Sequence, residues 1–316
     1  MNAGLLAVVG AVLIAAIAAM SAPASDGGEV SGPRSSRFDL LVLGSGGPRM
    51  TGRAASSDAI LRDGRPIALV DVGNGAAVRL GEAGLDITDL ELVLLTHLHI
   101  DHSADLPAVA KARGMVHHGP MRFRIFGPGG RGSFPSTSAF VQQIFGERGI
   151  YAYQKTFGAD ESFAVTDLSV DLAEPPKEIL QDGRVRVLAV ATHHGDTPSV
   201  AYRIDGPGFS VAFSGDLDPS GLPNLTRLAQ GVDLLVFNCA VLDPPGSPPD
   251  LYTRHTPPRQ IGTLAQAAGV RRLLLSHIPP LIESPAAQAE VVRSIRRSYP
   301  GPVEFAHDQL RVPLGS

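Results

Sequence analysis

Thr96 to Pro107 read "THLHIDHSADLP". The stretch closes "LELVLLTH" (Leu90 to His97), a continuous apolar run of the kind found in a strand buried on both faces. The chain has ten histidines in 316 residues, and three of them stand at 97, 99 and 102, with Asp101 among them and Asp105 close behind. In extended chain His97 and His99 are two apart, so both side chains point the same way. Asp101 and His102 fall where "SADLPAVAKARG" begins to read as helix, and neighbours there diverge. One turn can therefore offer two ligands to one metal ion and two to another. Imidazole nitrogens and carboxylates without cysteine suit Zn²⁺, with Mn²⁺ or Fe²⁺ as alternatives. Four polar groups that are costly to bury, placed straight after an apolar strand, need a shared purpose.

Working outward, the apolar runs "FDLLVLGSGGP" (from Phe38), "PIALVDVG" (from Pro66), "RFRIFG" (from Arg122), "VRVLAVAT" (from Val185), "SVAYRI" (from Ser199), "FSVAFSGD" (from Phe209), "VDLLVFN" (from Val232) and "RRLLLSH" (from Arg271) read as strands. Helices are expected over 257–268 and 284–298, and a compact one within "FPSTSAFVQQIFGERG". Strand after strand ends in a residue that can bind metal: His97, His194 just past its strand, Asp216 and His277. In layered α/β folds the loops at strand ends carry chemistry because the sheet holds them rigidly.

"THLHIDH" resembles the signature of the metallo-β-lactamase superfamily, and the rest of the chain supports it in order. "HHGDTPSVAYR" resembles the stretch with the next metal histidine, "FSGD" the bridging aspartate, and "LLLSHIPP" the last histidine. "LGSGGPRMTGRAASS" and "RHTPPRQIGTLAQAAGVRRLLLSHIPP" are similar to the opening and the ending of the branch that holds ribonuclease Z and its arylsulfatase-like and phosphodiesterase-like relatives. The resemblance implies an α/β fold, the four-layer αββα sandwich, over residues 38–316. It implies two ions: one on His97, His99 and His194, one on Asp101, His102 and His277, with Asp216 and a water or hydroxide bridging them. Five neutral imidazoles and two carboxylates leave net positive charge, which attracts an anionic ester. His193 competes with His194; the short polar loop before Ala201-Tyr202-Arg203 favours His194 as ligand, with His193 as its neighbour. Asp101 is expected both to bind metal and to orient or deprotonate the water.

His255 corresponds to a branch histidine that approaches the scissile group and donates a proton or stabilises charge; its competing reading is a plain helix-start residue beside Thr256 and Pro257. The ribonuclease Z pattern carries an acidic partner for it where this chain has Asn238 and Cys239 in "FNCAVLD", and Asp243 is the candidate substitute. Arg53 in the Gly-rich loop is a candidate for binding an anionic substrate. "GSGGP" is no nucleotide fingerprint. His117 and His118 read as solvent-exposed loop residues, His307 in "EFAHDQL" as a strand-end residue and Cys239 as a small buried hydrophobe.

The composition bounds the rest. Hydrophobic residues make up 44%, charged residues 18%, and there are 35 Gly and 26 Pro, which describes a loop-rich globular chain. A net charge of −4 excludes a strongly basic nucleic-acid binder, and one cysteine excludes an internal disulfide. "GLLAVVGAVLIAAIAAM" (Gly4 to Met20) is uncharged and leads to Ala22-Pro23-Ala24. Residues 1–24 therefore read as a signal peptide cleaved after Ala24, the alternative being a short membrane anchor, with 25–37 as linker. The expectation is an exported enzyme, periplasmic or secreted. Its two zinc ions supply a metal-bound hydroxide that hydrolyses a small anionic ester, a sulfate ester or phosphodiester. The alternatives are 3′-tRNA processing of the ribonuclease Z type, and lactone or β-lactam hydrolysis. Nucleic acid is not the expected partner, nor is a membrane once the leader is removed, and a homodimer stays open.

Overall fold

Two sheets stack face to face. The computed structural model describes residues 37–49, 51–117, 119–157 and 161–315. The leader, its cleavage point, nearly all of the linker and His118 lie outside the described residues. The first sheet is built from β1 (Phe38–Gly44), β2 (Ser57–Arg62), β3 (Arg65–Val70), β4 (Leu92–Leu94), β5 (Met121–Pro128) and β6 (Glu161–Leu168). The second holds β7 (Lys177–Gln181), β8 (Arg186–His194), β9 (Thr197–Gly206), β10 (Phe209–Phe213), β11 (Leu234–Asn238), β12 (Arg272–Ser276) and β13 (Val303–Phe305). The last strand, β14 (Arg311–Leu314), returns to the first sheet and pairs antiparallel with β1. The orders are β14-β1-β2-β3-β4-β5-β6 and β13-β12-β11-β10-β9-β8-β7.

Between the sheets lies one apolar core that draws on both, including Leu40, Ile60, Leu92, Val187, Tyr202, Val211 and Val236. Outside the first sheet, α1 (Ala76–Glu82), α2 (Ile100–Ser103), α3 (Leu106–Val116) and α4 (Thr137–Phe145) flank the strands. α1, α3 and α4 bury Leu80, Leu106, Val109 and Val141 in a second core. Outside the second sheet, α5 (Leu222–Leu228), α6 (Pro258–Ala267) and α7 (Pro285–Ile295) bury Leu225, Ile261, Leu264 and Val291 in a third. This is the expected αββα sandwich.

Local chemistry sets the boundaries. The β2–β3 hairpin turns on Asp63 and Gly64, both at positive φ, as two-residue turns of this kind demand. Ser136 caps α4 by accepting from Ala139 N, and Ser284 caps α7 by accepting from Ala287 N. β14 carries Pro313, tolerable because an edge strand need not donate on its outer side. "LELVLLTH" gives only three residues of ladder, because the chain leaves the sheet at Leu95 to open the metal-binding turn.

Two bonds tie the sheets together at that point. Val200 N donates to Thr96 O at 2.9 Å, and the buried Tyr202 hydroxyl donates to Leu95 O at 2.9 Å. The turn holding the histidines is thus clamped between both sheets. No helix among the described residues is long and apolar enough to cross a membrane.

Candidate metal centre

The strand ends converge. Thr96 to His102 lie at the end of β4, His194 at the end of β8, Asp216 just past β10 and His277 just past β12. One atom each from His97, His99 and His194 lies within 4.8 Å of the others, and the same holds for Asp101, His102 and His277. These are the two sets the resemblance implies. Asp216 stands between them: its Oδ2 is 3.7 Å from His102 Nε2, 3.7 Å from His194 Nε2 and 3.4 Å from His277 Nε2. His193 faces away and meets Asp218 Oδ2 at 2.5 Å, which leaves the inward position to His194.

The hydrogen bonds fix which nitrogen each ring turns inward. Asp71 accepts from Thr96 N at 2.7 Å, from Thr96 Oγ1 at 2.8 Å and from His102 Nδ1 at 2.7 Å. The Thr96 hydroxyl spends its one hydrogen on Asp71, so at 3.1 Å it accepts from His97 Nδ1–H. Both His97 and His102 are left with Nε2 as a free lone pair. His194 Nδ1–H donates to Arg254 O at 2.7 Å, which frees its Nε2 too. His99 contacts Thr197 Oγ1 through Nε2 at 3.1 Å, and its Nδ1 faces His97 Nε2 at 3.0 Å. With Nε2–H given to Thr197, two imidazole lone pairs meet head on, a repulsion that a cation between them relieves. His102 Nε2 is buried with no hydrogen-bond partner. Oriented rings backed by carboxylate and carbonyl acceptors are what a metal site requires, and these residues fit one.

The charges agree. Burial holds the His97 imidazole well below its usual pKa, so it is neutral and able to ligate. Burial also opposes ionisation of Asp216, yet the His277 and His102 imidazoles hold its carboxyl well below the usual carboxylate range. At His102 burial lowers the pKa, but Asp71 and Asp216 outweigh it and raise it. Three buried carboxylates here call for positive charge, which protons supply where metal would.

The Gly-rich loop closes the site from one side. A Cβ at Gly47 would sit 2.5 Å from the His277 ring, so only glycine lets the loop lie on that ligand. The loop is pinned by Asp308, which accepts from Ser45 N, Ser45 Oγ and Ala54 N. Arg53 takes part in this fastening. Its guanidinium donates to Ser45 Oγ at 2.7 Å, Ala306 O at 3.1 Å and Glu283 Oε1 at 3.2 Å.

His255 reaches the centre from the other side. With His194 and Asp216 it makes a further close set, its ring centroid 5.3 Å from that of His194. Burial pulls its pKa down to about 4. Its Nδ1 is buried without a partner. Asp243 does not supply one: it accepts from Arg259 N at 3.0 Å and from Ser294 Oγ, tying α6 to α7. Asn238, where an acid was looked for, instead donates from Nδ2 to Asp216 Oδ1 at 2.8 Å. Cys239 is buried and its thiol is pushed up to about 12, as inert as expected.

Sequence reasoning missed Asp71, Thr96 and Asp58. A signal for Asp71 existed: an acid ending the apolar run "PIALVD". Asp58 is fully buried in β2, and burial and the nearby Asp71 charge raise its carboxyl well above the usual range, which keeps it neutral.

A family profile described as a beta-lactamase superfamily domain matches residues 68–278, which span the whole ligand set. The chain belongs to this superfamily. It is a metal-dependent hydrolase with the metallo-β-lactamase fold. Among curated relatives, a ribonuclease Z of Mycobacterium bovis (strain BCG / Pasteur 1173P2) is 28% identical over 293 residues, covering 88% of this chain and 98% of the relative. Among solved structures, the short form of human tRNase Z is 20% identical with a TM-score of 0.67, covering 88% of this chain and all of that one. Zn²⁺-bound PqqB from Methylobacterium extorquens is 17% identical with a TM-score of 0.60, covering 87% of this chain and 100% of that one. Members of the superfamily bind metal ions, and the strand-end ligand set is where this chain can do so.

Proposed function

We propose that this chain hydrolyses phosphodiesters at a dinuclear centre and that RNA is the first substrate class to consider. The observation that carries the reading is Asp216 Oδ2, which faces ring nitrogens of both ligand sets from one point. On this reading His97, His99 and His194 hold one ion, Asp101, His102 and His277 the other, and Asp216 both. Bound there, two divalent ions, zinc first among the candidates, would supply an acidified water and positive charge to offset the phosphoryl oxygens. Asp101, whose Oδ2 lies 3.2 Å from His277 Nε2, would orient a water there and could accept its proton. Neutral His255 offers an N–H to an oxygen of the substrate as charge builds there. Asn238 fixes the rotamer of Asp216.

Full-length similarity to proteins named ribonuclease Z favours RNA over the sulfate-ester reading, for which neither the site nor the relatives give support, and it weighs against setting nucleic acid aside on net charge alone. A second reading keeps the chemistry and changes the place: export past a signal ending at Ala24, with small phosphodiesters as substrates. Asn238 in place of the acid of the ribonuclease Z pattern favours it, as does the apolar run Gly4 to Met20. The test is turnover by zinc-loaded protein of a precursor tRNA, bis(p-nitrophenyl) phosphate and p-nitrophenyl sulfate. Cleavage of the tRNA at its trailer supports the first reading. Turnover of the diester with the tRNA left intact supports the second. Turnover of the sulfate alone overturns both.

A further inference from the structure

A cavity of about 470 Å³ opens beside the ligand set, lined by His99, His194, Thr197, Phe134, Asp196 and Arg254 among others. The side chains of two of these residues join neither an apolar core nor a hydrogen bond among the described residues. Phe134 is half-buried, yet it joins none of the three apolar cores. Its ring centroid lies 6.4 Å from that of His99. A tight turn presents it: Arg131 N donates to Phe134 O at 3.1 Å, Phe134 N donates to Arg131 O at 2.9 Å, and the Arg131 guanidinium is anchored on Val170 O. A rigidly presented aromatic face without a core to fill is a stacking platform.

Arg254 is exposed, and its guanidinium makes no ion pair or hydrogen bond among the described residues. Its own carbonyl accepts from His194, so the side chain starts at the metal centre. An unpaired planar fork there is suited to a phosphate oxygen pair. Asp196 is the second charged group on the wall, also exposed and making no ion pair with Arg254. A carboxylate only accepts hydrogen bonds, so it repels phosphate and receives hydroxyl.

We propose that this cavity is a nucleotide subsite in which Phe134 stacks a base, Asp196 accepts from a sugar hydroxyl and Arg254 binds a phosphate. The proposal rests on the phosphodiester reading and narrows it to substrates with a nucleoside on one side of the scissile group. The rings, hydroxyls and phosphate of one nucleotide match the three chemistries on one wall. The same nucleotide could belong to an RNA strand or stand free.

Calorimetric titration of the zinc-loaded full chain with adenosine 5′-monophosphate, ribose 5-phosphate, methyl phosphate and a short single-stranded oligoribonucleotide tests it. Turnover of bis(p-nitrophenyl) phosphate is measured in parallel. The expected affinity falls in the order adenosine monophosphate, ribose phosphate, methyl phosphate. Phe134→Leu should cut the advantage of the first over the second by about 5–150-fold, the range for a stacked base. Arg254→Gln should weaken all three, with partial rescue by Arg254→Lys, and Asp196→Asn should cost only the two that carry hydroxyls. An oligoribonucleotide bound more tightly than adenosine monophosphate places the nucleotide in RNA; the reverse order places it in a free nucleotide. Wild-type protein that binds adenosine monophosphate no better than methyl phosphate overturns the subsite. So does a base preference that Phe134→Leu leaves intact. Either result alongside diester turnover leaves the phosphodiester reading standing. Loss of that reading shows separately, as no diester turnover.

Discussion

Asp71→Asn isolates one support of the metal centre. Asp71 sits at φ 57°, a left-handed conformation that Asn adopts as readily as Asp, so the backbone has no reason to move. The amide oxygen can keep the bond from Thr96 N. Where Oδ2 now accepts from His102 Nδ1 at 2.7 Å and from Thr96 Oγ1 at 2.8 Å, the variant presents an NH₂ that can accept from neither. At least one charge-assisted bond is lost, worth about 1.5–3 kcal/mol. Carried into metal affinity that is roughly 10–150-fold, in line with the usual cost of removing a group that orients a ligand. The ion on His102 should suffer more than the ion on His97, which feels Asp71 only through the Thr96 hydroxyl. Zinc affinity by competition with a chromophoric chelator reads the effect, with melting of the metal-free protein as the control for folding. Both zinc affinities within about threefold of wild type, in a folded variant, would refute the argument that Asp71 sets the ring of His102.

Other substitutions separate the roles. Asp216→Ala removes the one oxygen that faces both sets, so elemental analysis should find both ions lost together; a variant that keeps one ion tightly bound denies the bridge. His255→Ala should keep its metals and lose about 10²–10³-fold in rate, more for an alkyl leaving group than for nitrophenolate; loss of a metal would make His255 a ligand. On the export reading, protein taken from its source cell should begin at or near Ser25, and N-terminal sequencing that finds Met1 on the mature chain would remove that reading.

The ligand set was legible because placing so many polar groups after apolar strands is too costly to happen without a shared use, and the family resemblance grouped them as the fold does. The strands around them were legible for the same reason: both faces are covered, so their sequences are apolar throughout. β6, β7, β13 and β14 were not read because they are sheet-edge strands that mix polar and apolar residues, as "KEILQ" does; "SDAILR" of β2 mixes them too, although β2 lies inside the first sheet and is buried. Supporting residues were hidden for a different reason. Asp71 acts through His102, which is close only after β3 and β4 pair. Arg53 looked free because its partners Glu283 and Ala306 are more than 200 residues away. Asn238 read as a missing acid, and only the fold shows that its amide serves Asp216.

The central claim is that one shared centre needs two ions to work. Zinc should be added stepwise to metal-depleted protein while turnover of bis(p-nitrophenyl) phosphate is followed. The account predicts little activity through the first equivalent and full activity at the second. Full activity in the metal-depleted protein, or a plateau at one equivalent that Asp216→Ala leaves unchanged, would contradict it.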